Sequence, residues 1–251
     1  MNKNFVVLSQ ARSGSTWLIN ALNNIDGVTS YGELFLNDPT MFVDGATKMP
    51  RFLLWKQTQR GFRPFSTYRY LRNVFDGKGK TCFKLMYPQM FRFPELTFAL
   101  VFRKIHVIHL VRKNPLDAVL SNAIAFQRGK YHFMKHEEVP DEKQINIDPA
   151  FMIKAIRTNE LGTRTARTLL KASRLVHKEF YYEDLAADTN YFKPIWEFVG
   201  EEYELNPPAW KSKKIRSKSA ATTIKNYDEM LLALKREGLD HYLIDNSNQN
   251  G

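Results

Sequence analysis

Residues 4–22 read NFVVLSQARSGSTWLINAL. Asn4 to Leu8 is a short β-branched and aromatic run without helical period, as expected for a fully buried strand of a parallel sheet. Ser9 to Ser13 form a polar loop. Gly14, Ser15 and Thr16 then lead into Trp17, Leu18, Ala21, Leu22 and Ile25, an apolar pattern of helical spacing with hydroxyl residues available as caps. A loop between a buried strand and a helix presents unpaired amides at the positive end of the helix dipole, which suits an anion. Serine and glycine are also common in plain turns, so the loop alone is also compatible with a simple capped helix, the lesser of the two readings. It is not a Walker A loop. The first glycine is absent and no lysine follows Gly14, so the residue that would reach the β and γ phosphates of a nucleoside triphosphate is missing. This counts against a nucleotide kinase or NTPase.

Outward from this stretch, Thr81 to Met86, Lys104 to Val111 and Arg174 to Tyr182 are further strand candidates. Asn114 and Pro115 open a helix expected to run to about Gln127, and Ala150 to Ala172 is the longest helical stretch. Tyr131 to Asp148 reads as a charged loop and Pro207 to Thr223 as a basic, irregular one. Strands alternating with helices imply an α/β fold with a central parallel sheet flanked by helices. No repeat, low-complexity linker or composition break divides the chain, so residues 1–251 are expected to form a single domain.

The 251 residues carry 37 Lys plus Arg against 26 Asp plus Glu, a formal charge of +11, with 43% apolar and 13% aromatic residues. Such a chain can bury a sizeable core, which excludes global disorder. Leu96 to Val111 is interrupted by Arg103, Lys104 and two histidines, and the apolar run after Lys3 ends at Leu8. Neither a membrane span nor a secretory leader is expected, so the sequence predicts a cytoplasmic protein without membrane insertion. A single cysteine, Cys82, cannot form an internal disulfide and is expected to be a buried thiol. The positive charge is clustered. Lys48, Arg51, Lys56, Arg60, Arg63, Arg69 and Arg72 occur between Gly45 and Phe75 with no acidic residue, and Lys211, Lys213, Lys214, Arg216, Lys218 and Lys225 form a second such tract. Taken by themselves these tracts would suit a solvated face or a non-catalytic protein binding nucleic acid or another polyanion.

Two motifs shift that reading. Arg12 to Trp17 closely resembles the 5′-phosphosulfate loop of sulfotransferases that use 3′-phosphoadenosine-5′-phosphosulfate (PAPS). About 100 residues on, a strand ending His109, Leu110, Val111 runs into Arg112, Lys113, Asn114, Pro115 and then Ser121, which resembles that family's 3′-phosphate segment. A planar guanidinium and a hydroxyl on the following helix are suitable phosphate donors. The usual spacing of eight fits Lys113 to Ser121, whereas Arg112 precedes Ser121 by nine, so either cation can fill the role. Phe180 to Leu185, with Tyr182, resembles a segment that follows a late strand in these enzymes, and the basic loop 207–223, with Lys214, Arg216 and Lys218, resembles one that closes over the donor nucleotide in carbohydrate-type members. The resemblance implies a P-loop-like sulfotransferase fold and a donor site of Arg12, Ser13, Gly14, Ser15, Thr16, Trp17, Arg112, Lys113, Ser121, Tyr182, Lys214, Arg216 and Lys218. It also implies PAPS as co-substrate, adenosine 3′,5′-bisphosphate as product, and no nucleic-acid partner.

Sulfuryl transfer needs a base and cations that absorb developing charge. Many family members carry a histidine base two residues beyond a strand lysine, but the position two after Lys84 is Met86. Carbohydrate-type members instead place a glutamate soon after the first helix, here Glu33 within Tyr31 to Phe35. The resemblance thus implies Glu33 as base, Arg12 and Lys84 as the catalytic cations, and a carbohydrate or small-molecule acceptor with a hydroxyl or amine. Variable loops at 36–75 and 126–148 are expected to line the acceptor pocket. His106 and His109, read as alternating along one face of their strand, have no carboxylate or cysteine at ligand spacing, so they are expected to be structural and no metal is expected.

Overall fold

The structure, a computed structural model, describes residues 4–23, 27–36, 51–52, 63–77, 79–127, 144–200 and 220–243. These group into two compact units, one of Met1–Lys113 with Thr163–Trp210 and one of Asn114–Gly162 with Lys211–Gly251.

The first unit is built on five parallel strands, β1 (Phe5–Ser9), β2 (Val28–Glu33), β3 (Lys80–Met86), β4 (His106–Val111) and β5 (His177–Tyr181), in the order β2-β3-β1-β4-β5. All five residues of β1 are buried, as a continuous apolar run between two neighbours requires. Register aligns Ser9 with both Met86 and Leu110, so the carboxyl ends of the three central strands finish level.

Helices cover both faces. Helix α1 (Ser15–Leu22), α7 (Tyr182–Ala187) and α8 (Lys193–Val199) pack Leu18, Leu22, Leu185, Ile195 and Trp196 against Phe5, Val7, Cys82, Ile108 and Leu110. On the other face, α2 (Pro64–Phe75), α3 (Tyr87–Arg92), α4 (Glu95–Phe102) and the C-terminal half of α6 (Pro149–Ser173) bury Tyr70, Leu71, Met90, Leu96, Leu100 and Leu170 against Val6, Leu8, Phe83, Leu85 and Val107. Each fully buried Leu or Phe of these layers contributes about 1.5–3 kcal/mol. Cys82 is buried and hydrogen-bonded to Ser30, and burial pushes its thiol pKa up to about 12.

The strand expected from Thr81 starts at Lys80, whereas those expected from Lys104 and Arg174 start later, after helix ends. Lys104 (φ 53) and Arg174 (φ 56) both have positive φ. After α4 the amides of Lys104 and Ile105 bond back to Val101 and Leu100, a Schellman stop with lysine in the usual glycine position, and β4 begins only at His106. The paired histidines are corrected too. His106 and His109 lie on opposite faces, because residues three apart in a strand point opposite ways. The His106 ring meets Phe198 at 5.2 Å, whereas His109 is buried between Tyr87 and Glu179.

That second histidine anchors a polar chain. Arg167 donates twice to Glu179, at 2.8 Å each, and His109 Nδ1 donates to the same carboxylate at 3.1 Å. Tyr87 Oη lies 2.6 Å from His109 Nε2, and since Nδ1 carries the proton, Nε2 accepts from the phenol. Burial raises the Tyr87 pKa to about 12, which keeps that donor protonated. Burial also opposes ionisation of Glu179, but hydrogen bonds from His109, Arg167 and Tyr181 outweigh it and hold the carboxyl well below its ordinary 4.5.

The second unit has its own core. Helix α5 (Pro115–Gln127), the N-terminal half of α6, α9 (Ala220–Thr223) and α10 (Tyr227–Arg236) bury Leu116, Leu120, Met152, Ile156, Ile224, Met230 and Leu234. Ile145 pairs with Ile224, and Asn226 ties that bridge by bonding both the amide and the carbonyl of Ile147. Residues 220–223, expected as irregular loop, are therefore helical; the remainder of 207–223 lies outside the described residues.

Glu179→Gln is expected to lower stability by roughly 1–3 kcal/mol at neutral pH, because His109, Arg167 and Tyr181 lose a charged acceptor. Since the folded carboxyl titrates below the unfolded one, this contribution is complete above about pH 5.5 and fades as pH falls through 4.5 and below. Urea unfolding of both proteins at neutral and acidic pH checks it, and a pH-independent difference would contradict it.

Candidate active site at the carboxyl edge of the sheet

The loop after β1 turns into α1 through two left-handed residues, Arg12 (φ 63) and Gly14 (φ 81). Ser13 Oγ donates to the Gln10 carbonyl at 2.7 Å, closing the turn, and Leu18 N donates to the Gly14 carbonyl as the first bond of the helix. The N–H groups of the first helical turn, from Ser15 to Trp17, have no intrahelical acceptors and point out of the helix end. Glycine is required at 14 for a second reason. A Cβ there would lie 2.1 and 2.4 Å from ring carbons of Tyr182.

Tyr182 opens α7 just past β5, and its ring meets Trp17 edge-on at 5.7 Å. The Arg112 guanidinium sits 5.0 Å from the centre of the same ring, and its Nη1 donates to the Arg12 carbonyl at 2.9 Å. Its Nε is 3.5 Å from Glu183 Oε1. Lys113 turns elsewhere: its amide donates to Glu183, and its ammonium pairs with Asp184 and lies 5.3 Å from the Tyr181 ring. That hydrogen bond to Asp184 raises the Lys113 pKa despite partial burial. Of the two cations that the sequence left open, Arg112 is therefore the one joined to the loop.

The other side of α1 meets β3 and β2. Lys84 lies in β3 with 11% side-chain exposure, and its ammonium donates to Thr16 Oγ1 at 3.3 Å and to Glu33 Oε1 at 3.0 Å. An ammonium has three donors, and these partners use two. Glu33 ends β2, where a bulge between Tyr31 and Glu33 sets it beside Lys84 in register. Gln89 of α3 adds a contact that sequence reasoning missed. Its Nε2 donates to Glu33 Oε2 at 2.7 Å, while its Oε1 accepts from the Met86 amide at 3.0 Å. The backbone bond fixes which end of the amide faces the carboxylate. The only signal available in the sequence was a glutamine five residues after the strand lysine, too common to notice.

The structure thus brings Thr16, Lys84 and Glu33 into one hydrogen-bonded group at the α1 N-terminus, and Arg12, Gly14, Trp17, Tyr182 and Arg112 into another around the same helix end. Ser15 is buried in the first turn, and Ser121 is buried on α5 in the second unit. Lys214, Arg216 and Lys218 lie outside the described residues, as does most of 36–62 and 128–143. Among the described residues, no group of three His, Cys, Asp or Glu is placed to hold a metal ion. Nor is any helix among them long and apolar enough to cross a membrane.

The backbone aligns with solved sulfotransferases. One from Alicyclobacillus acidocaldarius superposes with a TM-score of 0.52 at 15% identity, covering 96% of this chain and 96% of that one. Mouse sulfotransferase SULT7A1, solved complexed with PAP, gives a TM-score of 0.53 at 12% identity over 99% of this chain and 86% of that one. At such identities the likeness is one of fold, and the chain has the sulfotransferase fold. The sequence matches no family model and no curated protein at a significant level.

Gly14→Ala is expected to cost about 1–2 kcal/mol from the left-handed backbone alone, and more from the clash with Tyr182. Adding Tyr182→Ala removes the clash but not the backbone cost. Chemical unfolding of the two single variants and the double variant should therefore give an effect smaller than the sum of the singles; simple additivity would contradict the contact.

Proposed function

We propose that the chain is a sulfotransferase that moves the sulfuryl group of PAPS to a hydroxyl or amine of a carbohydrate or another small metabolite, with Glu33 as general base. The observation that carries this reading is the Lys84 ammonium, which links the α1 N-terminus to a carboxylate through Thr16 and Glu33. An anion held on the helix end and an acceptor held on Glu33 would then meet across one lysine. The residues fit a phosphosulfate: first-turn amides, a hydroxyl and a largely buried ammonium. When bound, PAPS supplies the sulfuryl group and a phosphate leaving group.

The chain's own residues then have distinct tasks. The loop amides and Thr16 orient the 5′ end of the donor. Lys84 offers its third donor to oxygens on which charge develops, and because it is held at two points it needs little reorganisation. Glu33 is held in place by Lys84 and Gln89, and its oxygens retain lone pairs for an acceptor proton. As the acceptor oxygen attacks sulfur, its proton passes to Glu33 and the sulfur–oxygen bond to the leaving phosphate breaks. Arg12, in the turn, is the second cation for that phosphate. Arg112, joined to the loop and backed by Tyr182, is proposed for the 3′-phosphate, for which it must exchange its contact with Glu183. The matching roles of Ser121, Lys113 and the 207–223 loop rest on sequence resemblance.

Glu33→Gln is expected to leave bisphosphate affinity nearly intact and to lower turnover by roughly 10² to 10⁴, the usual contribution of a base. Turnover at saturating donor and calorimetric binding read the two effects separately; normal turnover would remove the base assignment.

Adenosine 5′-phosphosulfate, which lacks the 3′-phosphate, is expected to bind more weakly than PAPS by on the order of 2–4 kcal/mol. Arg112→Met should abolish most of this difference. Equal affinity of the wild type for both donors would contradict the role of Arg112.

A further inference from the structure

On the face of the first unit away from α1, helices α2 and α4 pack side by side and leave large aromatic side chains in solvent. Phe65 is 86% exposed, Phe98 70% and Phe102 76%, with Tyr68 and Val101 at the margin between them. They are contiguous. Phe98 and Phe102 are one helical turn apart on α4, Phe102 meets the Tyr68 ring at 5.6 Å, and Phe65 is one turn before Tyr68 on α2. A protein of this size rarely exposes three adjoining phenylalanines without a use.

The rim of this patch is cationic. Arg69 and Arg72 extend along α2 from Phe65, and Arg103 and Lys104 follow Phe102, with the Arg103 guanidinium 5.6 Å from the Tyr68 ring. Opposite charge is scarce among the described residues from 63 to 105. Glu95 is buried and accepts from the Arg63 amide and Thr67, and Asp76 is paired with Arg72 and Arg103.

We propose that the α2–α4 face is a docking surface for an anionic lipid bilayer, with Phe65, Phe98 and Phe102 entering the interfacial layer and Arg69, Arg72 and Lys104 meeting the headgroups. Aromatic side chains flanked by Lys and Arg are the composition that lies in such an interface. The rings stand out from two adjoining helices, a shape that suits insertion into a fluid layer, whereas a protein partner would have to supply a matching pocket for each ring. Binding here is independent of donor chemistry, so it is measured without nucleotide, and its outcome does not bear on sulfuryl transfer.

The test is co-sedimentation of the full chain with phosphatidylcholine vesicles, with and without phosphatidylglycerol. Binding is expected only with phosphatidylglycerol, decreasing with salt. The triple variant F65S/F98S/F102S, altered only at exposed positions, should lower the partition coefficient at least about tenfold at unchanged thermal stability. Should the triple variant fold poorly, F98S alone should still lower it measurably, and R69E/K104E should remove the dependence on phosphatidylglycerol. Absence of vesicle binding would overturn the proposal. So would binding that the phenylalanine variants leave unchanged, which would assign it to the basic tracts, or self-association in place of vesicle binding.

Discussion

The parallel register of the sheet is the constraint on which the site depends. Because β1, β3 and β4 finish level, the loop leaving β1, the helix leaving β3 and Arg112 leaving β4 all start from one edge. The strand order places β3 on one side of β1 and β4 on the other, so connections depart in opposite directions and leave a crevice at the edge between them. Lys84 enters that region from within β3, two residues before the strand ends, and the bulge in β2 brings Glu33 to the same level. No single side chain makes the site; displacement of one strand by one residue would turn Lys84 to the opposite face.

Within this frame three of the candidate cations have an anionic neighbour. Lys84 faces Glu33, Arg112 faces Glu183 and Lys113 holds Asp184. Pairing lowers the penalty of holding positive charge at a partly buried edge. It also means that an anionic ligand competes with carboxylates, so affinity depends on the additional charge and the forked geometry a phosphate offers to guanidinium and amide donors. A site organised this way discriminates strongly by ligand charge, since a neutral ligand would leave the resting pairs in place.

Much of this was legible in the sequence, and the misses have physical causes. The continuous apolar runs of β1 and the inner strands, and the proline that opens α5, carry their own signals. Strand β2 does not. VTSYGE lies at the sheet edge with half its residues partly exposed, so it has neither a buried run nor clean alternation. Helix α2 was hidden inside a basic tract read for charge rather than period. Lys104 and Arg174 looked like strand residues because they adjoin apolar runs, yet both terminate helices in the left-handed conformation that glycine normally supplies. At the site, the loop, Lys84 and Glu33 were readable because motif and chain order name them, and Gln89 was not, because its role exists only once α3 folds back over the end of β2.

Sulfuryl transfer at this edge is the proposed chemistry. The most direct measurement is incubation of the purified chain with PAPS and a panel of hydroxyl and amine acceptors, following release of adenosine 3′,5′-bisphosphate and the acceptor mass together. One acceptor class is expected to gain a single SO₃ in step with bisphosphate release, and Lys84→Met is expected to remove both signals. Release of bisphosphate without any sulfated product, or sulfation that persists in Lys84→Met, would contradict it.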